Sequence, residues 1–355
     1  KMRRTQDLPD KESATMFFQD CKLTHQAQIT GISHSIKEIL PPDLLNLTQL
    51  QKEANIRYGF TASEVYDIAQ SLYEKKLISY PRTSSRYLTE DVFDSLSPIM
   101  ARLLSWELFP AAKGTGGIDI SSLSRHVINA EKANVHHAII ITGIRPGNMS
   151  EKEMQVYRLV AGRMLETFMA PCRIETTNVE AVCAAQHFKA EQTRIIEAGW
   201  HDVFMHSDMI PTSGYSVKEL PEVEKGDTLN VCGCNMVHKK QLPVNPFTDA
   251  ELVEYMEQNG LGTVSSRTNI IRTLVNRKYI RYSGKYIVPT PKGMFTYETI
   301  RGKKIADTSL TADWEKQLAG LESGMITGQD FLNRIRTLAK EMTDDIFNTY
   351  STKEE

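Results

Sequence analysis

The run Ser79-Tyr80-Pro81-Arg82-Thr83-Ser84-Ser85-Arg86-Tyr87 sets a phenol two residues from a guanidinium, where a helical pattern gives way to a Pro-directed turn. These residue types suit the breaking of a phosphodiester. A tyrosine oxygen, with a reference pKa of about 10, is a poor nucleophile until cations stabilise the phenolate and the pentavalent phosphate. Arg82 supplies such a charge, and its bidentate fork suits a phosphate better than a lysine ammonium does. Tyr80 and Arg82 are therefore the catalytic candidates. An ester between tyrosine and phosphate conserves the energy of the broken bond, so a strand cut this way is resealed without ATP. The chain accordingly carries no Walker A loop. Thr83 and Ser85 have hydroxyls able to donate to phosphate oxygens, although hydroxyls after a turn also cap helices.

A nucleophile needs a rigid support, and Thr61-x-x-Glu64 opens one. It is a capping box for a helix reaching about Lys76, with Val65, Ile68, Ala69 and Leu72 apolar at helical spacing. Ser150-x-x-Glu153 caps another helix, expected to reach Met169 before Pro171 closes it. Residues 12–40 read as strand-rich, with Phe17-Phe18 and Ile29–Ile32 ahead of Pro41-Pro42. Further strands are expected over 174–182, 188–190, 194–197, 200–204 and 228–231. The β unit begun near residue 12 is thus completed after residue 149, and the mostly helical segment 41–148 is inserted into it. Gly114-Thr115-Gly116-Gly117 lacks GxGxxG spacing and reads as a flexible loop.

Beyond a linker at Pro243-Val244-Asn245-Pro246, Thr248-x-x-Glu251 caps a helix ended by Gly260, and a second helix runs from about Ser266 to Asn276. Tyr279–Tyr282, a Ser283-Gly284 turn and Lys285–Val288 then alternate as a hairpin. Helix, turn, helix and hairpin make a winged-helix pattern. The second helix offers phosphate ligands at both ends. Ser266 and Arg267 stand at its start, where N–H groups are free. Arg277 and Lys278 stand at its end, where cations also complement the helix dipole.

A chain of 355 residues is long enough for two to four domains. Its net charge of −2 argues against a nucleic-acid partner until the distribution is read. From Gly262 to Lys304 ten cations face one anion, Glu298, giving +9 and leaving about −11 elsewhere. Such segregation suits a surface that attracts phosphate while the rest stays soluble. Tyr279, Tyr282 and Tyr286 interleave with these charges and either stack on bases or pack. No apolar run has membrane-spanning length and Lys1-Met2-Arg3-Arg4 lacks the core of a signal peptide, so a cytoplasmic protein with no membrane partner is expected. The five cysteines are scattered, and Cys232-Gly233-Cys234 has only His238 nearby, short of a zinc site. Those cysteines read as alternating positions on a strand.

The blocks Leu50-Gln51-Lys52-Glu53-Ala54-Asn55, Tyr58-Gly59-Phe60-Thr61-Ala62, Gln70-Ser71-Leu72-Tyr73-Glu74 and Tyr80-Pro81-Arg82-Thr83 closely resemble type IA DNA topoisomerases. Two more follow in the family's order: Val135-His136-His137-Ala138-Ile139-Ile140, and Gly260-Leu261-Gly262-Thr263-Val264-Ser265-Ser266-Arg267 running on to Arg277-Lys278-Tyr279-Ile280. Together they look more like the topoisomerase III branch than topoisomerase I. The resemblance implies a multidomain α+β fold, the arch and part of the base of a toroid. In it a helical tyrosine domain, 41–148, is inserted into a β hinge domain formed by 1–40 and 149–245. A winged-helix-like DNA-binding domain, 246–355, follows. Tyr80 would be the nucleophile, Arg82 the phosphate clamp, and His136 a contact to the bound strand near the scissile bond. Ser84 stands where the family usually has aspartate, and Ile141 and Val264 where it usually has proline.

The implied reaction is cleavage of single-stranded DNA through a 5′-phosphotyrosine, with strand passage as the arch lifts, serving relaxation of negative supercoils or decatenation. RNA stays open as a second substrate. Family members begin with a Toprim domain whose Asp-x-Asp-x-Glu cluster binds magnesium, and no such cluster occurs here. These residues then read as the middle of a longer enzyme. Magnesium would be held outside them, no cofactor is expected within them, and alone they are expected to bind DNA without turnover. The alternative is a non-enzymatic winged-helix DNA-binding protein in which Tyr80 is structural.

Overall fold

The computed structural model describes residues 1–106, 108–109, 123–133, 136–204, 219–237 and 245–351. In chain order they form β1 (Arg3–Arg4), α1 (Lys11–Leu23), β2 (Gln26–Ile39), α2 (Leu47–Tyr58), α3 (Ala62–Glu74), α4 (Glu90–Asp94), α5 (Leu96–Ser105) and α6 (Glu151–Phe168). There follow β3 (Cys172–Cys183), β4 (Gln186–Glu197), β5 (Thr228–Asn230), α7 (Asp249–Gln258), α8 (Arg267–Asn276), β6 (Ile280–Ser283), β7 (Tyr286–Pro289), α9 (Pro291–Ile300), α10 (Thr308–Glu322) and α11 (Gly328–Ser351). The fold is a multidomain mixture of helices and antiparallel sheet. Among the described residues no helix is long and apolar enough to cross a membrane.

Two compact units divide the chain, one from 1–42, 103–124 and 162–243, the other from 43–102, 125–161 and 244–355. The first carries a five-stranded sheet of order β1-β4-β3-β2-β5. Its centre is a meander in which Ile32 faces Val179 and Val179 faces Ala190. Ile29, Val179 and Ala181 are buried there, with Met2, Leu220 and Leu229 packed against them. These boundaries differ from the four-part division expected above. The second half of α6 belongs with the sheet because Gly162 admits the rings of Phe204 and Phe109 where a methyl would collide. Segments 43–102 and 244–355 belong to one unit because buried contacts join them, as described below.

Three expectations for the first unit are corrected. Residues 11–23 are a helix, not strand, because the Asp10 carboxylate accepts from the Ser13 N–H at 2.8 Å and caps it. The two short strands 188–190 and 194–197 are one strand, since Glu191, Gln192 and Thr193 pair across to Asn178, Thr177 and Thr176. The segment expected as a strand over 200–204 is instead a 3-10 helix, Gly199–Val203. Gly199, with φ of +53°, turns the chain against the carbonyls of Ala170 and Pro171, and the Trp200 indole donates to the Ile39 carbonyl at 2.9 Å. Cys232 and Cys234 lie past the end of β5, not on it, and Gly114–Gly117, Val135 and His238 fall outside the described residues.

In the second unit the three Ser/Thr-x-x-Glu signals all start helices. Thr61 and Glu64 exchange bonds of 2.9 and 3.2 Å at α3, and Thr248 and Glu251 bonds of 2.7 and 3.3 Å at α7. At α6 the Ser150 N–H donates to Glu153 and the Glu153 N–H to Ser150, at 2.9 and 3.2 Å. α3 buries Val65, Ala69 and Leu72. Ala62 packs with Val253, Met256, Ile271 and Ile287, which brings α3 against α7, α8 and the β6–β7 hairpin. Buried polar groups fix that contact. The Gln51 amide donates to Thr268 Oγ1 and the Ala62 carbonyl at 2.9 Å each, while Asp249 accepts from the Ala62 N–H and from the Tyr282 hydroxyl. Burial pushes the Asp249 carboxyl up from its ordinary value, against the pull of those two donors.

Glu153 also clasps the far end of α3, accepting from Ser71 Oγ at 2.7 Å and from Lys75. The Lys75 ammonium, the Ser150 N–H and Ser71 hold its carboxyl down at about 2, against an ordinary 4.5. A carboxylate whose folded pKa is depressed adds stability above its unfolded pKa and loses it as pH falls through the folded one. Glu153→Gln keeps the cap acceptor but not the charge. The melting-temperature gap between wild type and this variant is therefore expected at neutral pH and should close between pH 4.5 and about 2. A gap constant across that window would show that the charge contributes nothing.

Candidate active site

The loop carrying Tyr80 is fixed from both sides. Helix α3 ends in a Schellman-type turn, with the Leu77 N–H on the Leu72 carbonyl at 2.9 Å and Lys76 in the left-handed region at φ +59°. This swings the chain into Ile78, which bridges antiparallel to Ile141. Ser79 then locks to the segment after His136. Its N–H donates to the Ile140 carbonyl at 2.8 Å, its hydroxyl donates to the Ala138 carbonyl at 3.1 Å, and it accepts from the Ile140 N–H at 3.0 Å. Beyond Tyr80, the Leu47 N–H donates to the Thr83 carbonyl at 3.1 Å and the Asn46 side chain to the Ser84 carbonyl at 3.0 Å.

Tyr80 itself is half-buried between two rings. Tyr73 meets it edge-on at 5.4 Å between centroids, and His136 lies tilted against it at 4.5 Å. The tyrosine block and the histidine block, separate in sequence, thus meet in space, with His136 exposed beside the phenol. Arg82 is held by α3. One of its terminal nitrogens donates to Gln70 Oε1 at 3.1 Å, and Gln70 in turn donates its amide to Glu74 at 2.8 Å. The guanidinium carbon lies 5.2 Å from the Tyr66 ring centroid. Its Nε is buried and has no hydrogen-bond partner among the described residues. A buried donor left so is uncommon and costly; among the described residues Arg82 shares this with Arg173 Nε and the Tyr157 hydroxyl.

Thr83 and Ser85 are buried, at 2% and 7% exposure. Thr83 donates to the His136 carbonyl at 2.9 Å and accepts from the Ser85 N–H at 3.0 Å, and Ser85 accepts from the Tyr87 N–H at 3.0 Å. Their hydroxyls brace the loop; they neither stand open to a phosphate nor cap a helix. Arg267 is corrected too. It is 8% exposed, with Nε on the Leu261 carbonyl at 3.2 Å and a terminal nitrogen 3.4 Å from Glu257. Burial holds its guanidinium below the ordinary value, offset by Glu257, so it pins the α7–α8 loop.

Ser266 precedes α8 without a side-chain cap bond; its hydroxyl accepts from the Thr263 N–H at 2.8 Å, and it lines an open groove together with Arg82 and Tyr66. Arg277 and Lys278 lie at the other end of α8, about 15 Å away for a ten-residue helix. They are exposed, with Lys292 donating to the Arg277 carbonyl at 2.9 Å and lying 4.6 Å over the Tyr279 ring. The +9 segment therefore divides. Arg267, Arg272, Arg301, Lys303 and Lys304 pair with carboxylates, while Arg277, Lys278, Arg281, Lys285 and Lys292 make no salt bridge among the described residues.

Tyr66 was not singled out from sequence, and Gln70 and Tyr73 stood only inside a block of the resemblance, without a role. The three fall at i, i+4 and i+7 on α3, one face of a helix, and that spacing is the signal that links them. Among the described residues no group of three or more His, Cys, Asp or Glu side chains is placed to hold a metal ion.

Comparison with known proteins identifies the family. The family model for DNA topoisomerase matches residues 1–333. The DNA topoisomerase 3 of Bacillus licheniformis is 31% identical over 344 residues, covering 90% of this chain and 47% of the relative. That of Bacillus subtilis is 30% identical over 352 residues, covering 92% of this chain and 48% of the relative. The solved structure of full-length topoisomerase I from Thermotoga maritima aligns with a TM-score of 0.72 at 23% identity, covering 96% of this chain and 56% of that one. The likeness shows a shared fold. The chain thus belongs to the DNA topoisomerase family, in the type IA class. It spans about half the length of the curated relatives it matches.

Proposed function

We propose that this chain carries the nucleophile of a type IA topoisomerase. The Tyr80 oxygen attacks a phosphodiester of single-stranded DNA, forming an O–P bond to the 5′ phosphate. The bond from phosphorus to the 3′ oxygen breaks, and that oxygen leaves as a 3′ hydroxyl after taking a proton. Reversal of the same step reseals the strand without ATP, and passage of another strand between the two events changes topology, as relaxation or decatenation. What carries this reading is the Tyr80 loop itself, where the phenol is held between Tyr73 and His136 while the neighbouring Arg82 keeps a buried, unpartnered Nε. Preorganised cationic donors are what a developing phosphate charge requires.

Among the described residues no cluster of acidic side chains around Tyr80 fits a magnesium site, and the metal would be held by acidic residues of the longer enzyme. By itself the chain is expected to bind DNA without turnover. The arrangement of α7, α8 and the β6–β7 hairpin supports a winged-helix reading of the basic segment, with a single DNA strand as its partner and an RNA strand a second candidate. A cytoplasmic location is consistent with this substrate. To test the reading, the full-length protein is mixed with an end-labelled oligonucleotide and denatured abruptly. Covalent transfer of the fragment bearing the 5′ phosphate is expected, and release of free ends only would contradict it.

The exposed cations at the end of α8 make a second expectation. Each phosphate contact on a single strand contributes roughly −0.7 to the slope of log K against log salt. Arg277→Ala should weaken binding alike for all sequences and make the slope shallower by about that amount. Coincident slopes for the two proteins over one salt range would make Arg277 a helix-end cation only.

A further inference from the structure

The first unit gathers three thiols from distant parts of the chain. Cys21 lies in the last turn of α1 and Cys183 at the end of β3, and both are buried. The Cys21 thiol donates to the Cys183 carbonyl at 3.9 Å, and the Cys183 thiol donates to the carbonyl of Thr24, the cap of α1, at 3.9 Å. Each thiol thus reaches the other's backbone, and the two side chains are hydrogen-bonded to each other. Cys183 is aimed by the hairpin turn. It pairs with Gln186, and Ala184 and Ala185 between them take left-handed φ of +49° and +59°, as a tight two-residue turn requires. The third thiol arrives from β5. The Val231 N–H donates to the His25 carbonyl at 2.9 Å, which lays the following chain beside the junction of α1 and β2. Cys234 comes three residues later, partly exposed and close enough to act electrostatically on Cys21. Cys172, at the opposite end of β3, stands apart. All five cysteines are free, and among the described residues no group of three or more His, Cys, Asp or Glu side chains is placed to hold a metal ion. The chemistry open to two thiols in contact is then oxidation to a disulfide.

We infer that Cys21 and Cys183 are a redox pair, oxidised to a disulfide by small-molecule disulfides that enter through Cys234. Burial, and then the neighbouring Cys183 and Cys234, push the Cys21 thiol up to about 12 against an ordinary 9.0. Protonated at neutral pH and shut away from solvent, Cys21 does not start an exchange, whereas a partly exposed thiol does. The Cys234 thiolate attacks an external disulfide R–S–S–R, forming a mixed disulfide and releasing R–S⁻, which takes a proton. Cys21 displaces the second R–S⁻, its own proton passing to the leaving sulfur. Cys183 then attacks the Cys21 sulfur and returns Cys234 to a thiol. In sum Cys21 and Cys183 lose two protons and two electrons, and R–S–S–R is reduced to two R–SH. The new bond joins residues 162 apart in the chain and ties α1 to the β3–β4 hairpin. Closing so long a loop restricts the unfolded chain, so the oxidised form is the more stable one.

The test is a disulfide map. Reduced full-length protein is incubated, folded, with oxidised glutathione, quenched by alkylation, digested and analysed by mass spectrometry. A peptide linking Cys21 to Cys183 is expected, with a melting temperature raised by at least about 5 °C and returned by dithiothreitol. Cys234→Ser should slow formation of that link at least about tenfold. A thiol at about 12 is roughly a thousandfold poorer in thiolate, and its greater nucleophilicity recovers only part of the loss. Cys21→Ser should stop the sequence at a glutathione adduct on Cys234. Should a serine in that buried position unfold the unit, the wild-type map and the Cys234→Ser rate still decide. Cys21 and Cys183 both recovered as alkylated thiols, or a link between Cys232 and Cys234 in place of theirs, would overturn the pair. An unchanged rate in Cys234→Ser would overturn the entry route.

Discussion

Tyr80→Phe in the full-length protein is expected to abolish strand cleavage while leaving single-strand affinity within a few-fold of wild type. The substitution removes one oxygen. The ring contacts to Tyr73 at 5.4 Å and His136 at 4.5 Å, and the Ser79 bonds that set the backbone, do not involve that oxygen. Loss of chemistry with binding retained is the signature of a missing nucleophile. Cleavage is read from end-labelled DNA on a denaturing gel, and binding from anisotropy under the same conditions. Residual cleavage by this variant would remove Tyr80 from the reaction.

Arg82→Ala should follow with a loss of about 10²- to 10³-fold in cleavage rate, the range seen when one preorganised charge-stabilising donor is deleted. Arg82 is held in place before any substrate arrives. Glu74 orients Gln70, Gln70 accepts from one guanidinium nitrogen, and Tyr66 lies against the guanidinium, whose Nε is buried without a partner. Arg82→Lys is expected to recover little, because an ammonium is a point charge without the planar fork. The measurement is single-turnover cleavage, with melting temperature as the check that the loop still folds. A rate within a few-fold of wild type, on a stable protein, would make Arg82 a structural partner of Tyr66.

Much of this site was legible because its elements are announced locally. Thr61, Ser150 and Thr248 each precede a glutamate by three residues, and each starts a helix through reciprocal bonds. Ser283-Gly284 turns the hairpin where alternation placed it, with Gly284 at φ +60°. What misled was context that one residue decides. Phe17-Phe18 reads as strand until Asp10 is recognised as a cap, and Trp200 reads as strand until Gly199 turns the chain away. Arg267 looked like a phosphate ligand because its neighbour Ser266 starts a helix, yet Glu257, ten residues earlier, claims it. Tyr66 was visible only as part of a helical face shared with Gln70 and Tyr73, and the use of that face depends on where the loop after α3 folds back. No local pattern tells that loop to meet His136, which is brought there by bonds between residues about 60 apart in the chain.

The central claim is that Tyr80 becomes covalently joined to DNA. Full-length protein is incubated with a single-stranded oligonucleotide, denatured to trap the intermediate, digested with nuclease and protease, and the peptides are sequenced by mass spectrometry. The account predicts one modified peptide, carrying a nucleotide 5′ phosphate on Tyr80. The same adduct on Tyr73 or Tyr87, or a digest with no nucleotide on any tyrosine, would contradict it.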